Sequence, residues 1–230
     1  VVLDLPLGSH ILPREPQADN GPVAVANLVA DAIDALELDD VTLIGSDSGG
    51  AMSQVIVTTR PGRIGHLVLT SCDFRDNFPP KLFSFFKPMA AIPGGLWTLA
   101  QSLRIRPLRK LAITFGWLTK RGLDREAEDS YLLPMITRPE VRRDTRNFIL
   151  GIDTAITNQA ADRLGEFGKP VLIAWSAEDR VFPKKDAVSL AAAFPDARLE
   201  WVEDAFAFSM EDNPDHLAEL IRSFLAQTPT

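Results

Sequence analysis

Between residues 42 and 51 the chain reads Thr42-Leu43-Ile44-Gly45-Ser46-Asp47-Ser48-Gly49-Gly50-Ala51: a short apolar run, a knot of glycines and the opening of a helix in direct succession. Such a stretch leaves a strand, turns sharply and enters a helix, and the neighbouring segments repeat that alternation. Val1 to Leu5 is an apolar run ended by Pro6, Gly8 and Pro13, and it reads as a buried strand. A helix follows from about Asn20-Gly21-Pro22, with Asn20 as N-cap and Val25, Leu28, Val29, Ala32 and Leu36 on one face. After the strand Val41 to Ile44 comes a helix from Gly50 to Thr59, stopped by Arg60-Pro61-Gly62, and then a strand from His66 to Thr70. Strands separated by helices at this spacing need crossover connections, and so a parallel sheet.

The alternation pauses from Asp73 to about Gly168, which holds seven prolines, helix-like pieces, the aromatics Trp97, Phe115 and Trp117, and a basic stretch from Arg104 to Lys110 that reads as a solvated helix face. It resumes at Lys169-Pro170 with a strand at Val171 to Ser176, a helix at Lys184 to Phe194, a strand at Arg198 to Val202 and a helix at Pro214 to Ala226 capped by Asn213. One α/β core in two parts, 1–72 and 169–230, is therefore interrupted by a helical insertion over 73–168, far longer than an ordinary loop. The chain opens on the strand-like run itself, without methionine, and reads as an N-terminally truncated fragment.

Lys and Arg number 24 against 31 Asp and Glu, a net charge of −7. Nucleic acids and anionic membranes call for a basic face, so neither is expected as a partner; a small-molecule substrate is. The apolar runs are too short for a transmembrane helix. Cys72 is the only cysteine, and His10, His66 and His216 show no metal-ligand spacing, so neither a metal nor an organic cofactor is expected. These features together predict a soluble, cytoplasmic protein.

A nucleophile elbow needs small residues two before and two after its central residue, so that strand and helix backbones can approach. Gly45 and Gly49 occupy those places and put Asp47 at the tip, where φ is usually positive and Asp tolerates it. At a helix start its carboxylate meets unpaired N–H groups and the positive end of the dipole, which favours the ionised, attacking form. Ser46-x-Ser48-x-Gly50 is the alternative frame, with Ser48 as nucleophile and Ser46 replacing the first glycine. No Gly-Lys-Ser/Thr follows, which excludes a Walker loop. Asp179 follows a buried strand at the carboxyl edge of the sheet, where ligands bind in such folds, or else caps the helix near Lys184.

Taken in order, these segments resemble the α/β-hydrolase superfamily, and within it the Asp-nucleophile branch of haloalkane dehalogenases and epoxide hydrolases. Val2-Leu3-Asp4-Leu5-Pro6 resembles the fourth strand of that fold, Gly45 to Gly50 the elbow, Asp73 to Gly168 the helical cap, and Lys169 to Trp175 the strand before the catalytic acid. The resemblance implies a hydrolase in which Asp47 forms a covalent ester with a small organic substrate. Asp179 would be the supporting acid, and the backbone N–H of Ser48 one oxyanion-hole donor. Trp97, Phe115 and Trp117 would either line the pocket or form the core of the cap.

The family keeps a histidine ahead of an acidic pair. Matching Phe208 and Glu211-Asp212 puts Ala207 in its place, and a methyl group carries no proton. His10, after the first strand and on the correct edge, is the substitute base or substrate contact to consider, whereas His66, at the opposite edge, reads as surface or packing and His216 as solvated. Two functions therefore stand side by side: a hydrolase, and a ligand-binding protein on the same fold that lacks its general base.

Overall fold

The computed structural model describes residues 1–228. Its sheet has four strands, β1 (Val41–Asp47), β2 (Ile64–Cys72), β3 (Val171–Ser176) and β4 (Ala197–Val202), lying side by side in chain order with every pairing parallel. The two inner strands are buried along their whole length and the two edge strands only in part, as expected when helices cover both faces. Side-chain alternation sorts the inner strands between the two faces. Val68, Leu172 and Ala174 pack with Leu217 and Phe224 of the last helix, while Leu67, Leu69, Val171, Ile173 and Trp175 belong to the larger core on the other side.

Ten α-helices accompany the strands among the described residues. Before β2 lie α1 (Pro22–Ala35) and α2 (Ser48–Thr59); between β2 and β3 lie α3 (Phe86–Ala91), α4 (Gly95–Ser102), α5 (Arg125–Thr137), α6 (Pro139–Gly151) and α7 (Thr154–Arg163). After β3 come α8 (Lys184–Ala193), α9 (Ser209–Asp212) and α10 (Pro214–Gln227). The run between β2 and β3 contains no strand, and Ala90, Leu96 and Ile149 build a small core of its own. Its last helix behaves differently: α7 packs on α2, and Ala160 and Ala161 join the main core. None of the described helices is long and apolar enough to cross a membrane.

Three local expectations are corrected. Val1 to Leu5 forms no strand; Val1 and Val2 are 92% and 98% exposed, and the run lies beside the open flank of β1 without pairing to it. A strand exists through its ladder of bonds to a neighbour, and apolar composition alone does not supply one. Asn20 is not the cap of α1: Gly21 occupies that position, and Asn20 Nδ2 donates to Asp144 Oδ1 at 3.2 Å. Within the basic stretch Arg109 is buried, donating to Asp129, Glu128 and the Leu103 carbonyl. Sequence composition gives no sign of those acidic partners on α5.

Candidate active site

The carboxyl ends of β1, β2 and β3 meet at one edge of the sheet, and each carries an aspartate. Asp47 ends β1 and caps α2 with φ +52°, the positive φ expected at the tip. The close approach behind it is made by Gly45 and Gly50. A Cβ on Gly45 would stand 2.7 Å from the Gly49 carbonyl and 2.9 Å from Gly50 Cα, and one on Gly50 would overlap the Cys72 side chain. A Cβ on Gly49 would meet nothing, so the second small position lies one residue later than its sequence pattern suggests.

Asp47 Oδ1 accepts the Ser48 N–H at 2.6 Å and lies 3.2 Å from Ser48 Oγ. The same hydroxyl lies 3.1 Å from Oδ2 of Asp73, the residue that follows β2. Asp73 is fixed by its backbone as well: its N–H donates to the Asp47 carbonyl at 3.3 Å, and its carbonyl accepts Gln54 Nε2 at 2.9 Å. It is fully buried, and its Oδ1 has no hydrogen-bond partner. Burial, followed by the charge of Asp47, pushes the Asp73 carboxyl well above the usual carboxylate range, against the Ser48 hydroxyl. Asp47 is also raised, because its desolvation outweighs both bonds from Ser48. The stabilisation expected from the helix start is thus overcome by burial.

Asp179 lies in the loop after β3. Its Oδ1 accepts the N–H groups of Val181 and Phe182 at 2.7 and 2.8 Å, which shapes this loop, while Pro183 is the residue that caps α8. Its Oδ2 is buried without a partner. Burial raises its pKa to about 6; the nearby Ser71 hydroxyl and the two N–H groups oppose the shift, and the charge of Asp47 adds to it. Among the described residues no Lys, Arg or His pairs with any of these three carboxyls, and no three metal-ligating side chains converge as they would around an ion.

The expected residues Asp47, Ser48 and Asp179 are therefore brought together. Asp73 joins them without having been singled out from the sequence; the available signal was its place directly after a buried strand, the same signal that marks Asp179. His10 stands apart: it is buried, with Nε2 3.3 Å from Asp144 Oδ2 and Nδ1 accepting the Gly8 N–H at 3.4 Å, so both ring nitrogens are engaged away from Asp47. His66 packs edge-on against Phe224, and His216 Nδ1 accepts the Glu203 N–H. Ala207 is buried in a clamped loop. Phe206 N–H donates to Asp212, which also accepts the N–H groups of Lys120 and Arg121, and Phe208 N–H donates to the Leu118 carbonyl. Glu211 accepts the Tyr131 hydroxyl at 2.8 Å, and burial together with this carboxylate pushes the Tyr131 pKa up to about 12.

The aromatics of the inserted segment divide. Phe115 is buried against Tyr131, Trp97 is 54% exposed, and Trp117 borders an open cleft of about 790 Å³. Phe74 and Arg75, just after Asp73, and Arg180 and Val181, just after Asp179, line the same cleft.

Similarity to known proteins agrees with this architecture. The chain is 27% identical over 208 residues to a 2-hydroxy-6-oxononadienedioate/2-hydroxy-6-oxononatrienedioate hydrolase of Klebsiella pneumoniae, covering 88% of this chain and 68% of that protein. It is 25% identical over 208 residues to a 2-hydroxy-6-oxo-6-phenylhexa-2,4-dienoate hydrolase of Burkholderia cepacia, covering 87% and 68%. It thus spans about two thirds of these relatives. In three dimensions it resembles the haloalkane dehalogenase DatA of Agrobacterium tumefaciens, with a TM-score of 0.76, 20% identity and coverage of 96% of this chain and 78% of that one. An esterase of Thermogutta terrifontis superimposes with a TM-score of 0.73 at 18% identity, over 98% and 78%. The alpha/beta hydrolase family model matches residues 1–219, which, with the parallel sheet and its strand-to-helix turn, establishes that the chain belongs to the alpha/beta hydrolase family.

Proposed function

We propose that this alpha/beta hydrolase cleaves a small organic substrate by direct attack of the Asp47 carboxylate, forming a covalent ester that water then hydrolyses. One observation carries the reading. Asp47 sits at the tip of the turn with Oδ1 held by Ser48, while its Oδ2 accepts no hydrogen bond among the described residues. One oxygen is anchored and the other is free to form a bond, as a nucleophilic carboxylate requires. The Ser48 N–H is then a donor to the charge that develops on Oδ1. The inserted segment 73–168, apart from α7, which packs with the core, acts as a cap over the carboxyl edge, with the rest of the core formed by 1–72 and 169–230.

Asp179 supports the reaction as the second carboxyl of the site. With Ala207 in place of histidine it has no imidazole to orient, and its partnerless Oδ2 is the remaining acceptor for a proton from water. The relatives are named as hydrolases of a dienedioate or trienedioate and of a dienoate, and the structural neighbours include a dehalogenase and an esterase, so the proposal is confined to a small organic electrophile.

A second reading has its own observation: Ala207 is buried in a clamped loop, and among the described residues no histidine bonds to the three carboxyls. That suits a ligand-binding protein on a hydrolase fold. Peptide mass spectrometry after incubation with 1-bromohexane, styrene oxide or p-nitrophenyl acetate separates the two. A covalent adduct on the Asp47 peptide, or turnover lost in Asp47→Asn, is the expected result. A folded protein that binds these compounds with neither adduct nor turnover supports the second reading instead.

A further inference from the structure

The Ser48 hydroxyl stands between two carboxyl oxygens, 3.2 Å from Asp47 Oδ1 and 3.1 Å from Asp73 Oδ2. A serine hydroxyl has one hydrogen and can donate to only one of them; the other contact is favourable only if that carboxyl donates to Ser48 Oγ. The backbone shows which one does. Asp47 Oδ1 already accepts the Ser48 N–H at 2.6 Å, and a proton on that oxygen would face another donor. The proton therefore belongs on Asp73. The surroundings of Asp73 agree: it is fully buried, its Oδ1 has no partner among the described residues, and the charge acting on it is that of Asp47, while the adjacent Cys72 thiol is surrounded by the carboxyls of Asp73, Asp47, Asp179 and Asp186 of α8, with no cation among them.

We propose that the Ser48 hydroxyl is the second oxyanion donor of this site, and that Asp73 donates its carboxyl proton to Ser48 Oγ and so holds the hydroxyl hydrogen on Asp47 Oδ1. The inference rests on the reading of Asp47 as nucleophile. Asp47 Oδ2 attacks the substrate carbon, the leaving group departs with its bonding pair, and Oδ1 becomes the carbonyl oxygen of the ester. Water then adds to Asp47 Cγ through an oxygen lone pair, while the carbonyl π pair moves onto Oδ1. At that moment Oδ1 carries the charge, and it already has two donors on one residue, the Ser48 N–H and the Ser48 hydroxyl. Collapse breaks the bond from Cγ to the oxygen now on the substrate, and a proton of the attacking water, taken up by Asp179 Oδ2, is passed to that departing oxygen. Asp47 is restored with one oxygen from water and releases its remaining proton to solvent. Asp73 is thus a positioning residue, acting through Ser48 without touching the substrate.

The test follows the lifetime of the Asp47 adduct formed with 1-bromohexane, by rapid-quench peptide mass spectrometry, in the wild-type chain and three variants. Losing one oxyanion donor costs about 100-fold or more in catalysis. Ser48→Ala is therefore expected to lengthen the adduct lifetime by about that factor while changing its rate of formation much less. Asp73→Ala frees the hydroxyl and lengthens the lifetime about 10-fold. Asp73→Asn, whose amide can donate to Ser48 Oγ, recovers most of that loss. Wild-type hydrolysis should decline on the alkaline side as Asp73 loses its proton, and Asp73→Asn should lack this limb. Infrared difference spectra of the unreacted protein give a reading independent of turnover: the C=O stretch of a buried protonated carboxyl at neutral pH, absent in Asp73→Asn. Unchanged hydrolysis in Ser48→Ala, an Asp73→Asn variant as slow as Asp73→Ala, or no protonated-carboxyl band overturns the proposal. Absence of any Asp47 adduct in the wild-type chain removes the nucleophile reading itself, and the proposal with it.

Discussion

At the scale of single residues, three carboxyls without a cation partner among the described residues, Asp73 fully buried and Asp47 and Asp179 partly so, give this protein an unusual dependence on pH. Burial raises the Asp179 pKa to about 6 and pushes Asp47 and Asp73 up as well. A carboxyl whose folded pKa lies above its unfolded value of about 3.9 binds its proton more tightly in the native state. Its stabilising effect is complete below about pH 4 and is lost as the pH rises through the folded value. Asp179→Asn keeps an oxygen for the Val181 and Phe182 N–H groups and carries no charge to desolvate. It should therefore stabilise the protein at pH 7, by up to about 3 kcal/mol for a shift of roughly two units, and do almost nothing at pH 4. Urea unfolding at both pH values checks this, and equal effects at the two would exclude it. Asp47 and Asp179 were legible in the sequence because a turn pattern marks the one and a strand end marks the other. The protonation state was not, since it depends on side chains that the fold brings in from three separate strands.

At the scale of elements, the strand-to-helix turn is where packing fixes chemistry. Gly50 lies against Cys72 of β2, and a methyl group there would force β2 and α2 apart just where Cys72 is in register with Asp47 and the Asp73 N–H donates to the Asp47 carbonyl. Gly50→Ala should cost on the order of 1–3 kcal/mol as an overpacked substitution and abolish chemistry at Asp47. Gly49→Ala meets no atom and sits in the first turn of α2, so it should be neutral or stabilise by about 0.5–1 kcal/mol. Thermal unfolding of the two variants side by side distinguishes them, and a reversed order would contradict the packing described. On the inserted segment, Arg109→Ala would leave Glu128 buried without its partner and should destabilise by about 3–5 kcal/mol in denaturant titration. Periodicity and turn residues placed β2 to β4, α8 and α10 within two residues and β1 within three. Val1 to Leu5 was misread because a strand's identity lies partly in its neighbour, and Arg109 because an ion pair across nineteen residues leaves no local pattern.

At the scale of the whole molecule, Asp144 of α6 ties residues 10–20 to the inserted helices, accepting the Arg14 N–H at 2.8 Å, Asn20 Nδ2 at 3.2 Å, and contacts from His10 and Arg143. Although its burial acts in the opposite sense, these partners hold its carboxyl below the usual range. Its contribution to stability is therefore present above about pH 4 and lost on acidification, the reverse of Asp47, Asp73 and Asp179. The family was legible because the order of elements survives where individual segments are ordinary; the open cleft beside Asp73 and Asp179 was not, because it is lined from separate stretches of the chain. All of this converges on the identity of the attacking oxygen. The direct measurement is a single turnover of 1-bromohexane, with enzyme in excess, in water enriched in ¹⁸O. If Asp47 attacks, the heavy oxygen appears in the Asp47 peptide and the first alcohol released carries ordinary oxygen. Heavy oxygen in the alcohol with an unlabelled Asp47 peptide would show that water attacks the substrate directly, and would contradict the nucleophilic role of Asp47.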